Sequence, residues 1–404
     1  MSLFNSPDKR LPGFKLALVG CFCAVVVLGL GAFTRLMDAG LGCPDWPTCY
    51  GHVLWPTSNA DIKAANQAFP DAPVERDKTW PEMVHRYFAQ ALGYITIALF
   101  ILAVRKRREQ QPVKLVGALL LVNVLFTAIT AVVGVTMEPF AVGSVAITML
   151  TLAWLGWQRG PSSQPFKLPA FILAFIILQG LFGMWTVTLK LWPQVVTSHL
   201  LGGFTTFSLV WLLMQRLNHY TWQLSSAAAL QLRKLRPWVV LGLVVVCCQI
   251  ALGGWTTSNY AAVACPDLPT CQGQWLPKMD FAQGFNVTQT IGPNYLGGRM
   301  DNEARIAIHF SHRVGAIVTA IYLLTLSLLL ATRVRVAETR RMAKIISAVL
   351  VLQVCLGIGN VIFHFPVEVA VAHNLVGACL LLVMVTLNHR VFTATETASA
   401  SATG

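Results

Sequence analysis

The sequence has few charged residues. Only 12% of its 404 residues are Asp, Glu, Lys or Arg, against about 25% in a typical soluble domain. It also lacks a glycine-rich phosphate loop, a Walker pattern and an RNA-binding motif. The low charge argues against one soluble core of this size. The missing motifs argue against a nucleic-acid partner, even though the formal net charge is +13.

Long apolar runs take the place of the missing charge. Hydrophobic residues make up 55% of the chain, and the mean hydropathy is +0.61. A membrane-spanning helix needs about 20 apolar residues. The runs therefore predict an all-α polytopic membrane protein with about ten transmembrane helices, at 14–34, 84–104, 113–135, 140–157, 168–188, 196–215, 237–257, 306–331, 345–363 and 368–388.

Basic residues cluster between particular helices. The clusters lie around Arg10, Arg107, Lys234 and Arg340, and with ten helices they all fall on one side of the membrane. Because Lys and Arg are enriched in cytoplasmic loops, we expect both termini to be cytoplasmic. The long loops 35–82 and 258–305 are then external. This predicts a multi-pass protein of the cell inner membrane, in contact with membrane lipid.

The two halves of the chain resemble each other. The segment Cys43-Pro-Asp-Trp-Pro-Thr-Cys49 recurs as Cys265-Pro-Asp-Leu-Pro-Thr-Cys271, and His85-Arg86 recurs as His312-Arg313. His199 and His373 also match, but at a shorter spacing, which indicates an insertion in the first half. We predict tandem pseudo-symmetric four-helix bundles related by a parallel repeat. The predicted segments are a cytoplasmic tail 1–13, a first repeat 14–216 with an inserted hairpin 113–157, a cytoplasmic linker 217–236, a second repeat 237–390 and a disordered tail 391–404.

Four of the nine histidines occupy repeat-related positions. His85 and His199 in the first half, and His312 and His373 in the second, lie near the external ends of the second and fourth helices of each repeat. Two imidazoles at matched depth in a four-helix bundle can ligate one haem. Small residues within about one turn would leave room for a porphyrin, and these are Ala89, Gly202, Gly315 and Gly377. For each histidine alone, an interhelical hydrogen bond is the alternative, and a bare zinc ion is a weaker one.

An acidic residue distinguishes the first half from the second. Glu82 precedes His85 by three residues, whereas His309 holds the equivalent place before His312. The spacing puts both side chains on one helix face, so the carboxylate can orient the ring, act as a base or stabilise a cation. The alternative is an acid that satisfies free N–H groups at a helix start. Arg86 and Arg313 would reach haem propionates or serve as interfacial anchors.

Each long external loop carries a pair of cysteines. Cys43 and Cys49, and likewise Cys265 and Cys271, are close enough in sequence to form disulfides in an oxidising compartment. One alternative is a metal site of Cys43, Cys49 and His52. We interpret the pair Cys265 and Cys271 as purely structural, whereas the pair Cys43 and Cys49 is either structural or redox-active.

Taken together, these motifs resemble the haem A synthases, the haem O monooxygenase family of cytochrome oxidase assembly. The resemblance covers residues 14–105 and 168–390 and rests on the paired cysteines, Glu-x-x-His-Arg, Leu-Gln-Gly with Trp-Thr-Val, and four intramembrane histidines. It implies an oxidoreductase that converts the C8 methyl group of haem O into a formyl group by successive hydroxylations. The hairpin 113–157 departs from the family's basic eight-helix form.

The resemblance also implies roles for individual residues. His312 and His373 would ligate a resident haem b, and His85 and His199 would hold the substrate haem, with Glu82 close to the chemistry. Cys43 and Cys49 would be the functionally sensitive pair.

The implied partners are a haem O synthase as the substrate donor and an electron donor, either a quinol or a ferredoxin-like protein. A homo-oligomer is compatible with the pattern. The rival functions are a di-haem b-type cytochrome that carries electrons between quinol and a partner, and a transporter. Proline lies mostly in loops or at helix ends, which disfavours the transporter.

Overall fold

A computed structural model of the chain describes residues 10–105 and 166–397, and the single positions 118, 143 and 147 between them. Eight helices within these residues are long and apolar enough to cross a membrane. They correspond to eight of the ten predicted spans, so the prediction of an all-α polytopic membrane protein is confirmed. The predicted spans 113–135 and 140–157 lie outside the described residues, apart from those three positions.

The first compact unit comprises Arg10–Asn218 and Val287–Arg299, as far as these residues are described. Its helices are α1 (Phe14–Leu36), α2 (Asn59–Ala68), α3 (Arg76–Arg105), α4 (Lys167–Thr188) and α5 (Pro193–Asn218). Helix α1 packs against α3 and α5, and α4 packs against the same two helices. The four long helices therefore close into a ring in which α3 and α5 are diagonal neighbours.

The segment 287–299 belongs to this first unit, although it lies in the sequence between the helices of the second repeat. The Tyr295 amide donates a hydrogen bond to the Lys190 carbonyl at 3.0 Å, and the Trp192 indole donates to the Gln289 carbonyl at 2.9 Å. The buried Tyr295 side chain packs with Leu191 and Val196. These contacts cover the turn between α4 and α5.

The second compact unit includes His219–Asn286 and the described residues from Met300 onwards. Its helices are α6 (Ser226–Lys234), α7 (Arg236–Ser258), α8 (Phe281–Gly284), α9 (Asn302–Leu329, continued by a π-turn at Leu330–Val334), α10 (Ala337–Ile362) and α11 (Val367–Thr393). A short 3₁₀ turn spans Ala262–Ala264. Helices α7 and α10 each pack against α9 and α11, so the ring of the first unit recurs here.

The chain beyond the last membrane helix is ordered further than predicted. Helix α11 continues to Thr393, and strand β2 (Thr395–Glu396) pairs in parallel with β1 (Gln223–Leu224). The side chain of Glu396 also forms a salt bridge with Arg233 at 2.5 Å. The first part of the predicted disordered tail 391–404 is therefore anchored by backbone pairing and charge.

The first and third helices of both rings end in the same way. At the end of each of α1, α4, α7 and α10, an amide N–H bonds back to the carbonyl five residues earlier. The preceding residue has a left-handed backbone, as in a Schellman motif. The four pairs, with their N···O distances, are Ala39 to Thr34 (2.9 Å), Leu191 to Thr186 (2.8 Å), Ala261 to Thr256 (2.9 Å) and Phe365 to Asn360 (2.6 Å). Each half of the two-fold sequence repeat therefore contains two copies of one helix pair. The four copies are α1 with α3, α4 with α5, α7 with α9 and α10 with α11.

Close approach of helices in the first ring depends on a glycine. A Cβ atom at Gly20 of α1 would lie 3.2 Å from a methyl carbon of Ile95 on α3 and 3.2 Å from one of Val210 on α5. At Gly180 of α4, by contrast, a Cβ atom would have nothing within 4 Å.

We predict that Gly20→Leu destabilises the first bundle by about 1–3 kcal/mol, because the added side chain separates α1 from both neighbours. Gly180→Leu is the matched control and should be near neutral. The measurement is the thermal midpoint of the detergent-solubilised protein, followed by size-exclusion chromatography. Equal midpoints for the two variants would contradict the packing described.

Candidate haem-binding site

Two imidazoles face each other across the first bundle. His85 lies on α3 and His199 on α5, which are diagonal in the ring, and their ring centroids are 6.5 Å apart with perpendicular planes. A metal–imidazole bond of about 2.0 Å would put two rings on opposite sides of one metal atom roughly 6 Å apart, centroid to centroid. The separation therefore suits a single iron held between the two rings.

The second bundle places its histidines in the same way. His312 lies on α9 and His373 on α11, again the diagonal pair of the ring. In both bundles, the two histidines that the sequence repeat singles out therefore lie on diagonal helices.

Each of these rings packs against a glycine on a neighbouring helix. A Cβ atom on that glycine would lie 2.9–3.1 Å from the histidine Cε1 atom, closer than ordinary contact allows. The pairs are Gly31 with His85, Gly183 with His199, Gly253 with His312 and Gly357 with His373. Bare backbone thus makes room for the imidazoles, and the sequence analysis did not identify these four glycines.

The glycines that follow the histidines have a different neighbour from the one expected. A Cβ atom at Gly202 would lie 1.9 Å from Oε1 of Gln179, and one at Gly315 would lie 2.3 Å from Oε1 of Gln249. Gly377 faces Gln353 at 3.3 Å. We expected these positions to leave room for a porphyrin, but what they accommodate is a glutamine side chain.

Those three glutamines contact the histidine rings. The Gln179 Nε2 atom lies 2.9 Å from Nδ1 of His199, and the Gln249 Nε2 atom lies 3.0 Å from Nδ1 of His312. Gln353 contacts the Nε2 atom of His373 at 3.3 Å. The sequence analysis includes Gln179 in the Leu-Gln-Gly motif but predicts no contact between a glutamine and a histidine, although the signal is present as Gln-x-x-x-Gly at 179–183, 249–253 and 353–357.

Glu82 connects α3 to the first cysteine loop. Its side chain is buried, accepts a hydrogen bond from the Cys43 amide at 3.0 Å and pairs with Arg86. Arg86 in turn donates to the carbonyls of Asp45 at 3.0 Å and Thr48 at 2.8 Å. Glu82 lies beyond the first turn of α3, where Asp77 is the acid instead. The role of Glu82 as an acid at a helix start is therefore wrong.

The second unit repeats this connection with a different partner. Buried His309 takes the place of Glu82 and accepts from Arg313 Nε at 3.3 Å. Arg313 also donates to the carbonyls of Thr270 and Cys265, both at 2.8 Å. Both arginines therefore donate to main-chain carbonyls of the cysteine loops.

The two cysteine loops have the same internal structure. Disulfides join Cys43 to Cys49 and Cys265 to Cys271, so the alternative metal site of Cys43, Cys49 and His52 has no free thiolates. In the second loop, the Asp267 carboxylate accepts hydrogen bonds from the amides of Gln272 at 2.6 Å and Gly273 at 2.9 Å, and from the Thr270 hydroxyl. The Asp45 carboxylate accepts the equivalent set in the first loop, from Tyr50, Gly51 and Thr48.

The chain is similar to known proteins over most of its length. Residues 14–142 and 139–385 match the COX15-CtaA family model, described as cytochrome oxidase assembly protein. The chain belongs to this family. A curated relative named heme A synthase, from Shewanella oneidensis, is 39% identical over 91% of this chain and 93% of its own length. Proteins of the same name from Sphingopyxis alaskensis and Caulobacter vibrioides are 24% and 26% identical, covering 91% and 96% of this chain, and 88% and 97% of their own lengths.

The residues of this family member fit a haem better than a bare metal ion. Within the described part of the chain, no cluster of three or more His, Cys, Asp or Glu side chains could hold an ion by itself. A porphyrin supplies four ligands, so two imidazoles complete its iron. Around the second histidine pair, three polar atoms are buried without a hydrogen bond among the described residues. They are Nδ1 of His373 and Oε1 of Gln249 and Gln353.

The stability of the second cysteine loop should depend on pH. The Thr270 hydroxyl, followed by the amides of Gly273 and Gln272, holds the pKa of Asp267 below its ordinary value of 3.8. A carboxyl whose pKa is lowered on folding stabilises the fold above its unfolded pKa, and that stability is lost as the pH falls through the folded value.

We therefore predict that acidification below about pH 4 loosens the loop and speeds reduction of the Cys265–Cys271 disulfide by a phosphine. Asp267→Asn removes the titrating group and should be reduced at a rate that changes little over the same range. The measurement is the rate of thiol release at several pH values. Identical pH dependence in the two proteins would contradict the role given to Asp267.

Proposed function

We propose that the protein is a haem A synthase that oxidises the C8 methyl group of haem O to a formyl group by successive hydroxylations, for cytochrome oxidase assembly. The observations that carry this proposal are the pair of facing imidazoles in the first bundle of a COX15-CtaA family member and the second histidine pair on the corresponding diagonal helices. The name shared by the curated relatives, heme A synthase, supports haem A as the product.

The two bundles divide the work in this proposal. His85 and His199 hold the substrate haem in the first unit, and His312 and His373 hold a resident haem b in the second. The support comes from charge, since Glu82 is the only buried acidic side chain among the described residues and lies one turn from His85. The second unit has neutral His309 at that place.

The haem, when bound, supplies the oxidising power that an inert methyl group requires. The chain supplies position and charge. His85 and His199 fix the ring system between two helices. Glu82 contributes a negative charge at a fixed place, because Arg86 and the Cys43 amide already occupy its oxygens. This favours stabilisation of positive charge that develops during oxidation over proton transfer by Glu82.

The site lies in a membrane protein, and we propose its orientation in the cell inner membrane. Both termini are cytoplasmic and both cysteine loops face the external side. The basic clusters support this sidedness, as do the two disulfides, which persist in oxidising compartments. A haem O synthase would deliver the substrate, and a quinol or a ferredoxin-like protein would supply electrons.

The direct test of the proposal is expression in cells that make haem O but lack a haem A synthase. Haem A should then appear in membrane extracts separated by chromatography. Unmodified haem O together with a haem-loaded protein would contradict the proposal and favour a di-haem b-type cytochrome.

Glu82 gives a second, sharper prediction. We expect Glu82→Ala to reduce haem A formation by on the order of a hundredfold, as loss of a preorganised electrostatic group does, while the second-unit haem stays bound. The matched control is Asp77→Ala, since Asp77 is an exposed acid on the same helix. Extracted haem O, hydroxylated intermediate and haem A are quantified per unit of protein. Undiminished haem A in Glu82→Ala would refute the role of the carboxylate.

A further inference from the structure

The four repeated helix pairs differ in one respect next to the histidine. In three pairs, the first helix carries a glutamine one turn before the glycine that receives the ring, at Gln179, Gln249 and Gln353. In the remaining pair, α1 carries Val27 at that place. The ring of His85 lies instead with Nδ1 3.1 Å from the Val27 main-chain carbonyl.

The glutamine amides are fixed at more than one point. Nε2 of Gln249 lies 3.0 Å both from Nδ1 of His312 and from its main-chain carbonyl. Nε2 of Gln179 makes the equivalent two contacts with His199, at 2.9 and 2.5 Å. The carboxamides of Gln179 and Gln249 therefore lie next to the Nδ1 atoms of His199 and His312.

A glycine on the histidine helix accompanies each glutamine. Side chains at Gly202 or Gly315 would collide with the carboxamide, because their Cβ atoms would lie within 2.3 Å of Oε1. In the pair that lacks glutamine, the corresponding residues after His85 are Phe88 and Ala89, and no glycine is present. Glutamine and glycine thus occur together and are absent together, which indicates that the contact is specific.

Iron ligation explains what the glutamine would do. When one imidazole nitrogen binds iron, the other carries the proton and needs an acceptor. The acceptor atoms on hand are Oε1 of Gln249 and Gln353, both buried without a partner among the described residues. A half-turn of the carboxamide exchanges its N and O atoms, so that the oxygen faces the ring. The turned oxygen of Gln249 would lie as close to the His312 main-chain carbonyl oxygen as Nε2 now does, at 3.0 Å, and two acceptors repel at that distance. The turn must therefore also carry the carboxamide away from this carbonyl, which still accepts a hydrogen bond from its own helix.

We propose that Gln179, Gln249 and Gln353 are positioning residues that hold His199, His312 and His373 for haem ligation through the ring nitrogen facing away from the iron. His85 is held by the backbone of Val27 instead. The inference rests on the proposed function, in which these histidines bind haem. In the first bundle, one histidine is then held by a side chain and the other by the backbone. In the second bundle, both histidines are held by side chains.

The test uses purified full-length protein with its second-unit haem and two substitutions of one residue. Gln249→Leu removes the acceptor, so His312 becomes a weaker donor to iron and the midpoint potential of that haem should rise. Gln249→Glu strengthens the acceptor and should lower it. Val244→Leu, at an exposed position of the same helix, is the control and should change neither the potential nor the low-spin electron paramagnetic resonance spectrum.

Haem retention provides a second readout. Loss of a residue that orients a metal ligand typically costs 10–100-fold in affinity, and we expect a loss of about that size in Gln249→Leu, with Gln249→Glu close to the parent protein. If Gln249→Leu does not accumulate in the membrane, the lowered midpoint potential expected for Gln249→Glu tests the proposal by itself.

Opposite shifts in the two variants support the proposal. Unchanged potentials and spectra at full haem content would overturn it, and so would shifts of the same sign. A parent protein that binds no haem at all would instead refute the proposed function, so the two failures are distinguishable.

Discussion

Each bundle carries two histidines on diagonal helices, and in the first bundle their imidazoles face each other. A polar imidazole inside a membrane protein is costly unless it has a partner. The four long helices of each unit pack in a closed ring, which places the second and fourth helices opposite each other. The glycines beneath the rings, such as Gly183 and Gly253, allow the helices to come this close. The histidine spacing, the glycine positions and the helix order therefore depend on one another.

The cysteine loops are attached to the same helices that carry the first histidine of each pair. Arg86 and Arg313 bind loop carbonyls from positions next to His85 and His312. The disulfide and the internal aspartate bond each loop to itself, and the arginine joins the loop to the helix turn that carries His85 or His312. Only the first unit adds a buried carboxylate to this connection, among the residues that the structure describes, and this is one of the differences between the two sites.

Much of this was accessible from the sequence, because it depends on local or repeated patterns. Apolar runs predict the described spans, and duplicated motifs predict the histidine pairs and the cysteine pairs. The helix starts were less accessible. Helix α3 begins at Arg76 rather than at 84, since its first two turns are polar and hydropathy reports only the part within lipid.

Other features depend on contacts between distant segments. No local pattern shows that Tyr295 packs beside Leu191, or that Glu82 is bound by the Cys43 amide. The contact of the glutamines with histidine is not predictable from the Leu-Gln-Gly motif, because a single Gln in an apolar run does not show which helix it faces. Their role emerges only when the four helix pairs are superimposed in sequence, where Val27 is the exception to Gln179, Gln249 and Gln353.

The most direct test of the facing-imidazole arrangement is the amount of haem per polypeptide in the purified protein and its histidine variants, after expression with a haem O supply. The arrangement requires that His85→Ala and His312→Ala each remove haem from one bundle only, and that the double variant be free of haem. Full haem content in the double variant would contradict it.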